Sequence, residues 1–279
     1  MHLSQFTYGK GRVRIMRVKR DTERHEVREL DLKVLLEGDF SASFTSSDNS
    51  RVIATDTIKN IVNIVARALP AAETEPFTAA IADYFFEHYP HVDAVSVTAR
   101  ETKWDRLVVG GAAHDHAFRM DANGQPVARL RATRQSSALS SGIEGFTFLK
   151  STGSGWVGYL MDGATTLPET TDRIFSTAMN ASWTWAAAPA DYPAANAKIM
   201  TALMDVFATN YSPSVQNSLY LMGSAALQAV PEISDISMAC PNKHYLPIKL
   251  SHFGLDNPNV VFTPTDEPHG QIECTVSRG

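Results

Sequence analysis

The sequence predicts an α+β protein made of antiparallel sheets, each carrying helices on one face. Three observations predict it. Leu30, Leu32, Val34 and Leu36 alternate through Asp31, Lys33 and Leu35, the period of a half-buried strand. Ile58, Ile61, Val62, Val65 and Leu69 recur at the spacing of one helical face. The order strand, strand, helix, helix, strand, strand then returns in the second half, although the halves share no visible sequence identity. Strand pairs separated by helix pairs belong to the α+β class rather than to a parallel α/β sheet.

Taken in order, a first strand is expected near residues 10–20 and a second through Leu36. Asp48, Asn49 and Ser50 mark a turn. The helix through Ile58 opens at Ala54-Thr55-Asp56, where Thr55 or Asp56 is placed to cap it, and Pro70 limits it. A second helix is expected from about Phe77, with Ile81, Tyr84, Phe85 and His88 on one face, ending near Pro90. Val95, Val97 and Ala99 then alternate with Ser96, Thr98 and Arg100 as strands resume. The small residues Ser136 to Ser141 suit a junction and divide the chain into residues 1–135 and 136–279.

In the second half, strand-like Phe146-Thr147-Phe148-Leu149 leads into an irregular run to about Pro193. A helix carrying Ile199, Leu203 and Val206 precedes one carrying Val215, Leu219, Met222 and Ala226. Ser212 as cap with Pro213 at the first helical position is the expected start of the latter. Strands are expected again at Lys243 to Leu250, Val260 to Thr263 and Gln271 to Val276. Sheets of this kind leave edges that a chain must cover, charge or pair with a partner, so pairing between subunits is expected.

Composition narrows the function classes. With 279 residues, 44% of them hydrophobic and 20% charged, the chain can bury one large core or two ordinary ones. A formal charge of −5 argues against nucleic acid as partner, which demands a basic face. No run reaches the roughly 18 apolar residues of a membrane span, so no membrane partner is expected. Two cysteines, Cys240 and Cys274, are too few for a disulfide framework or a four-thiolate zinc site. The N-terminus lacks a signal-peptide core and the chain ends Ser277-Arg278-Gly279 rather than in a peroxisomal address, so a cytoplasmic location is expected.

Several residues have both an ordinary reading and a chemical one. A lysine such as Lys10, following Tyr8-Gly9 at a strand start, is ordinarily solvated, but a buried lysine loses its proton more readily and can act as a base. Thr55 and Asp56 at a helix start are ordinarily caps; the free N–H groups there also favour an anion. A strand histidine is more often structural. His244, however, lies two residues from Asn242, on the same strand face, and two neutral hydrogen-bonding groups together suit a polar pocket. Arg173 and Gln216 need no explanation at a surface, yet a guanidinium fork and an amide match the alternating acceptors and donors of a purine edge.

These residues lie in segments that resemble urate oxidase: Tyr8-Gly9-Lys10, Ala54-Thr55-Asp56, Lys150-Ser151-Thr152-Gly153-Ser154, Thr165-Thr166-Leu167, Asp172-Arg173-Ile174, Ser212-Pro213-Ser214-Val215-Gln216 and Asn242-Lys243-His244-Tyr245. The resemblance runs from Tyr8 to Cys274-Thr275-Val276. It implies two tandem tunnelling-fold domains, assembling as a homotetramer around a barrel, with active sites at subunit interfaces. It also implies oxidation of urate by O2 and water to 5-hydroxyisourate and hydrogen peroxide, without a cofactor or metal.

Residue by residue, the resemblance makes Lys10, Thr55 and His244 a proton relay. Arg173 and Gln216 become the purine clamp, with a backbone contact from Val215 and another from the Asp56 N–H. Asn242 would hold oxygen, and later the attacking water, above the ring. One position departs from the pattern. Trp156 stands where the family carries the phenylalanine that stacks on the substrate, and its larger indole can still stack while altering the fit.

Two other motifs point elsewhere. Gly153-Ser154-Gly155-Trp156-Val157-Gly158 has dinucleotide-loop spacing but lacks the helix and parallel unit that such a loop serves. His114-Asp115-His116, if on a strand, would put two imidazoles on one face, the start of a metal site lacking a third ligand. A metal-dependent purine or pterin enzyme of the same fold, using His114 and His116, is therefore one alternative. A non-catalytic purine-binding oligomer is the other.

Overall fold

In the computed structural model, which describes residues 2–279, the chain divides into two compact units, Met1–Gly142 and Ile143–Gly279. The first unit comprises β1 (Tyr8–Lys19), β2 (Glu26–Gly38), the single turn α1 (Ser41–Thr45), α2 (Thr55–Ala68), α3 (Thr74–His88), β3 (Val92–Val109), β4 (Ala112–Asp121) and β5 (Gln125–Thr133). Its strands run β1-β2-β3-β5, each pair antiparallel, and β4 pairs with the far end of β3.

The alternation in β2 is realised: Leu30, Leu32, Val34 and Leu36 are all buried, as are Val95, Val97 and Ala99 of β3. Ile58, Ile61, Val62 and Val65 of α2 and Phe77, Ile81, Ala82 and Phe85 of α3 complete one continuous core with them. Helix α3 starts a turn earlier than the sequence suggests, at Thr74, and His88 points outward to stack on Tyr84 with ring centroids 4.0 Å apart.

Strand β1 is irregular where it matters. Its register slips between Lys10 and Val13, where two residues on β1, Gly11 and Arg12, face one on β2, Lys33, and Arg12 takes a positive φ of 58°. This is a β-bulge, which bends the strand and re-aims the side chains beside it. Gly9 sits so close to β2 that a Cβ there would lie 1.9 Å from the Val34 carbonyl oxygen, so no other residue fits.

The second unit holds most of β6 (Ser137–Lys150), then β7 (Phe175–Trp185), α4 (Tyr192–Thr209), α5 (Val215–Ala229), β8 (Ile233–Pro247), a single 3₁₀ turn (Ser251–Phe253) and β9 (Phe262–Ser277). β7, β8 and β9 are joined antiparallel in that order. The expected recurrence of two strands, two helices and two strands is present. Ile199, Leu203, Leu219, Met222 and Ala226 of the helices are buried, together with Met179, Trp183 and Ile236 of the sheet.

Four details differ from the sequence reading. The run expected to be irregular up to Pro193 contains β7, whose buried side is Phe175, Thr177, Met179, Ala181, Trp183 and Trp185, alternating with the polar or small residues Ser176, Ala178, Asn180, Ser182 and Thr184. Helix α4 begins at Tyr192, capped by Asp191, which accepts from the Ala194 N–H at 2.7 Å. The two short strands expected after residue 260 are one strand, β9, and β8 starts ten residues before Lys243. Finally, α5 is capped by Ser214 rather than Ser212; Ser214 Oγ accepts from the Asn217 N–H at 3.1 Å, and Ser212 is buried, accepting from the Ser218 hydroxyl at 2.7 Å.

Both cysteines are free, and burial pushes the Cys240 thiol up to about 12, so it stays protonated and unreactive at neutral pH. No helix is long and apolar enough to cross a membrane among the described residues. Phe77, fully buried at the centre of the first core, is the residue whose loss should hurt that unit most. Phe77→Ala should lower stability by about 3–5 kcal/mol, read as a drop in the urea midpoint with an unchanged slope.

Candidate active site

Each unit gathers part of the residues singled out above. In the first, the Tyr8 hydroxyl accepts from the Ile53 N–H at 2.9 Å and its ring packs edge-on against Phe40 at 4.8 Å. The start of β1 is thereby fastened to the segment leading into α2. Lys59 chiefly holds the Asp56 carboxyl below the usual range, and the charge of Lys10, half-buried beside the bulge, adds least to this. Lys59 donates to Asp56 at 2.5 Å and, more weakly, Asn60 at 3.2 Å.

Thr55 and Asp56 do not cap α2. The cap position belongs to Ala54, which makes no side-chain hydrogen bond, and Thr55 is the first helical residue. The N–H groups of the opening turn therefore keep no side-chain acceptor, at the positive end of the helix dipole. Among the described residues, Lys10 Nζ and Thr55 Oγ1 make no hydrogen bond to protein, so both remain available to something else. Such an end favours a negatively charged or electron-rich group.

In the second unit, residues 151–174 form a long irregular segment held by its backbone. Ser154 bridges Ser212, and Trp156 bridges Thr170. The Gly155 N–H donates to Ser212 O at 2.9 Å, the Ser212 N–H to Gly153 O at 2.9 Å, and the Arg173 N–H to Ser154 O at 2.8 Å. Gly155 permits this approach, since a Cβ there would come within 2.2 Å of the Tyr211 hydroxyl. That hydroxyl donates to Thr171 O at 2.9 Å, pinning the strip that carries Arg173. No helix follows Gly158, which removes the dinucleotide-loop reading.

These tethers collect Trp156, Arg173, Val215 and Gln216. The Arg173 guanidinium carbon lies 5.9 Å from the Trp156 ring centroid, and Trp156 stacks on Tyr159 at 5.4 Å with 12° between the planes. Arg173 is half-buried, and burial lowers its proton affinity. Among the described residues it has no carboxylate partner, so its donor fork is uncommitted. Val215, buried, opens α5, and Gln216 next to it is exposed.

β7 starts two residues after Arg173 and pairs with β8 at Ser176↔Lys243 and Thr177↔Asn242, which carries Asn242 and His244 to the same region. Asn242 is 9% exposed and faces Gly270, while His244 faces Thr265. Between those pairs, the single residue Lys243 of β8 faces four of β9, Asp266–His269, which loop out. His269 is held there, with Nδ1 3.1 Å from Asp266 O and Nε2 3.2 Å from Gln271 Oε1. His244 has its proton affinity lowered by burial first, then by the Arg173 charge and by His269. A neutral imidazole at neutral pH follows.

Tyr211, Tyr159 and His269 border the candidate residues, and periodicity does not reveal them; only the contacts above bring them there. His114 and His116 do lie on a strand, β4, with rings 4.7 Å apart, but the His116 N–H points at His114 Nδ1 (3.3 Å). Among the described residues no three His, Cys, Asp or Glu side chains are placed to hold a metal ion. The metal-site alternative therefore lacks its third ligand.

Residues 6–131 and 139–273 each match the family model described as uricase. The uricase of Arthrobacter globiformis is 41% identical over 276 residues, covering 99% of this chain and 90% of that protein. The Aspergillus flavus uricase is 36% identical, covering 97% of this chain and 95% of its own length. The crystal structure of the Arthrobacter globiformis uricase superposes with a TM-score of 0.95, covering 100% of this chain and 95% of that one. The structure of a uricase from Bacillus fastidious follows at 0.86 and 27% identity, covering 98% and 94%. Two family matches in tandem, full-length relatives and a shared fold leave one conclusion: the chain belongs to the uricase family.

Proposed function

We propose that this protein oxidises urate with O2 and water, giving 5-hydroxyisourate and hydrogen peroxide, as a step of purine degradation. One observation carries the reading: an uncommitted, half-buried Arg173 fork beside an aromatic platform and a neutral His244, in a chain similar to uricases along its whole length. Urate is a planar anion. Trp156 supplies a face to stack on, Arg173 and Gln216 the donors and acceptor for its edge, and Val215 a main-chain group. The opening turn of α2 supplies further N–H groups from Thr55 and Asp56.

The chemistry asks little of the protein beyond proton handling and orientation. Dioxygen is a triplet and accepts electrons singly; a doubly deprotonated urate is electron-rich enough to give two in succession. Those two electrons and two protons make hydrogen peroxide, and water adds at the oxidised carbon to give 5-hydroxyisourate. Lys10, acting through the Thr55 hydroxyl with His244, takes the proton from urate and returns protons to the peroxide. Asn242, neutral and nearly buried, holds oxygen and then water over the ring. No cofactor enters this scheme, since the substrate is itself the reductant. In this reading the protein is a cytoplasmic homotetramer whose sites are completed at subunit interfaces, one subunit giving Lys10 and Thr55 and its neighbour Arg173 and Gln216.

The primary test follows urate absorbance in the near ultraviolet with metal-stripped protein in air. One peroxide per urate consumed supports the proposal; urate binding without oxygen uptake would establish the purine-binding alternative instead. Lys10→Met and Thr55→Ala should each cut kcat by roughly 10²–10⁴-fold with native circular dichroism, and near-normal turnover in both would remove the relay. Because His244 must be neutral and its proton affinity is depressed, the acid limb of activity should lie at lower pH than an unperturbed histidine would give. Replacing His269 by Gln removes one cause of that depression, so the acid limb of kcat/KM should move to higher pH. An unmoved limb would show that another group governs it.

A further inference from the structure

The loop that carries Trp156 is closed on itself. At its base the Trp156 N–H donates to Thr170 O at 2.7 Å and the Thr170 N–H to Trp156 O at 3.0 Å. Its tip is a turn, in which the Thr165 N–H donates to Asp162 O at 3.1 Å and the Ala164 N–H to Asp162 Oδ1 at 2.9 Å. Between base and tip, the Gly158 N–H donates to Glu169 Oε1 at 2.7 Å. Val157, Leu160, Met161 and Leu167 of this loop are exposed, while Trp156 and Tyr159 are half-buried. The order of the loop thus serves two aromatic rings rather than an aliphatic core.

Tyr159 reaches Trp156 because Gly158, between them, takes a φ of 71°, a left-handed conformation that a side chain resists. The two ring planes are 12° apart with centroids at 5.4 Å, an offset stack. Across the loop, the Tyr159 hydroxyl donates to Leu167 O, so the phenol is held at its far end as well. An indole has two faces, and Tyr159 covers one of them. Arg173 is too distant to be stacked on the other, its guanidinium carbon lying 5.9 Å from the Trp156 centroid against 4.1 Å for Arg17 on Phe77. Without the phenol, a half-buried indole on an irregular loop would exchange rotamers, and fixing it would weigh against binding.

We propose that Tyr159 is a positioning residue for the substrate: it backs Trp156 so that the indole offers one fixed face to the purine, beside the Arg173 fork. This inference rests on the urate reading and deepens it. Acting through Trp156, Tyr159 meets neither the purine nor the groups that move protons, so its effect falls on binding rather than on turnover.

The test is urate titration in the absence of oxygen, which isolates binding, followed by steady-state kinetics in air. Tyr159→Leu should raise Kd and KM for urate roughly threefold to tenfold, with kcat and the acid limb of kcat/KM unmoved. Tyr159→Phe, which keeps the ring, should recover most of that affinity. In a Trp156→Leu background, Tyr159→Leu should add little, because residues acting through one contact are not additive. Unchanged binding in Tyr159→Leu overturns the proposal. So does the same loss in both backgrounds, a Tyr159→Phe as weak as Tyr159→Leu, or a loss confined to kcat. A wild-type chain that binds no urate overturns the urate reading as well, whereas any of the former results overturns this inference alone.

Discussion

The second unit's share of the site depends on a short set of backbone hydrogen bonds. Residues 151–174 have no regular structure, yet Gly153, Ser154, Trp156, Thr170 and Arg173 are tied by main-chain bonds to Ser212 and to one another. A segment of that length left to water would spread Trp156 and Arg173 over many positions, and the entropy of collecting them would fall on ligand binding. Paid for in the fold instead, the arrangement presents a guanidinium, an indole and the first turn of α5 together. Gly155 is the residue that permits it, because any side chain would strike Tyr211.

Charge is distributed with the same economy. Surface ion pairs such as Arg51–Asp39 at 2.8 Å and Arg131–Glu37 at 3.0 Å are exposed and contribute little to stability. The informative cations are those the fold half-buries or buries and then leaves uncommitted: Lys10, Arg173 and Arg17. At Arg173 the uncommitted fork lies beside a stacking ring and adds to the burial that lowers the proton affinity of His244. Arg17 of β1 is deeper, and among the described residues the Nε and Nη2 atoms of its guanidinium have no hydrogen-bond partner.

Much of the candidate site is readable from short segments, because Lys10, Thr55, Arg173, Gln216, Asn242 and His244 lie in local motifs of the urate oxidase pattern. Their local roles are less readable. Thr55 looks like a cap and is instead the first helical residue, since the dihedral change falls at Ala54. Ser212 looks like the cap of α5, but the helix opens two residues later at Ser214, which frees Ser212 to bridge the 153–173 segment. Cap identity depends on where the backbone turns, which neighbouring serines do not disclose. His269 was invisible for a different reason: it reaches His244 only because β9 loops out opposite it.

By itself the sequence determined the α+β class, the repeated order of elements and the buried faces of β2, β3, α2 and α5, because these follow from side-chain period along one local segment. Only the tertiary structure decided β7, which takes its place between β6 and β8, and the union of residues 262–277 into one strand. It alone also decided the bulge beside Lys10, the loop-out opposite Asn242 and His244, and the orphaned edge of Arg17. Register and hydrogen-bond partners are set by chains distant in sequence, and a local pattern carries no record of which partner will be missing.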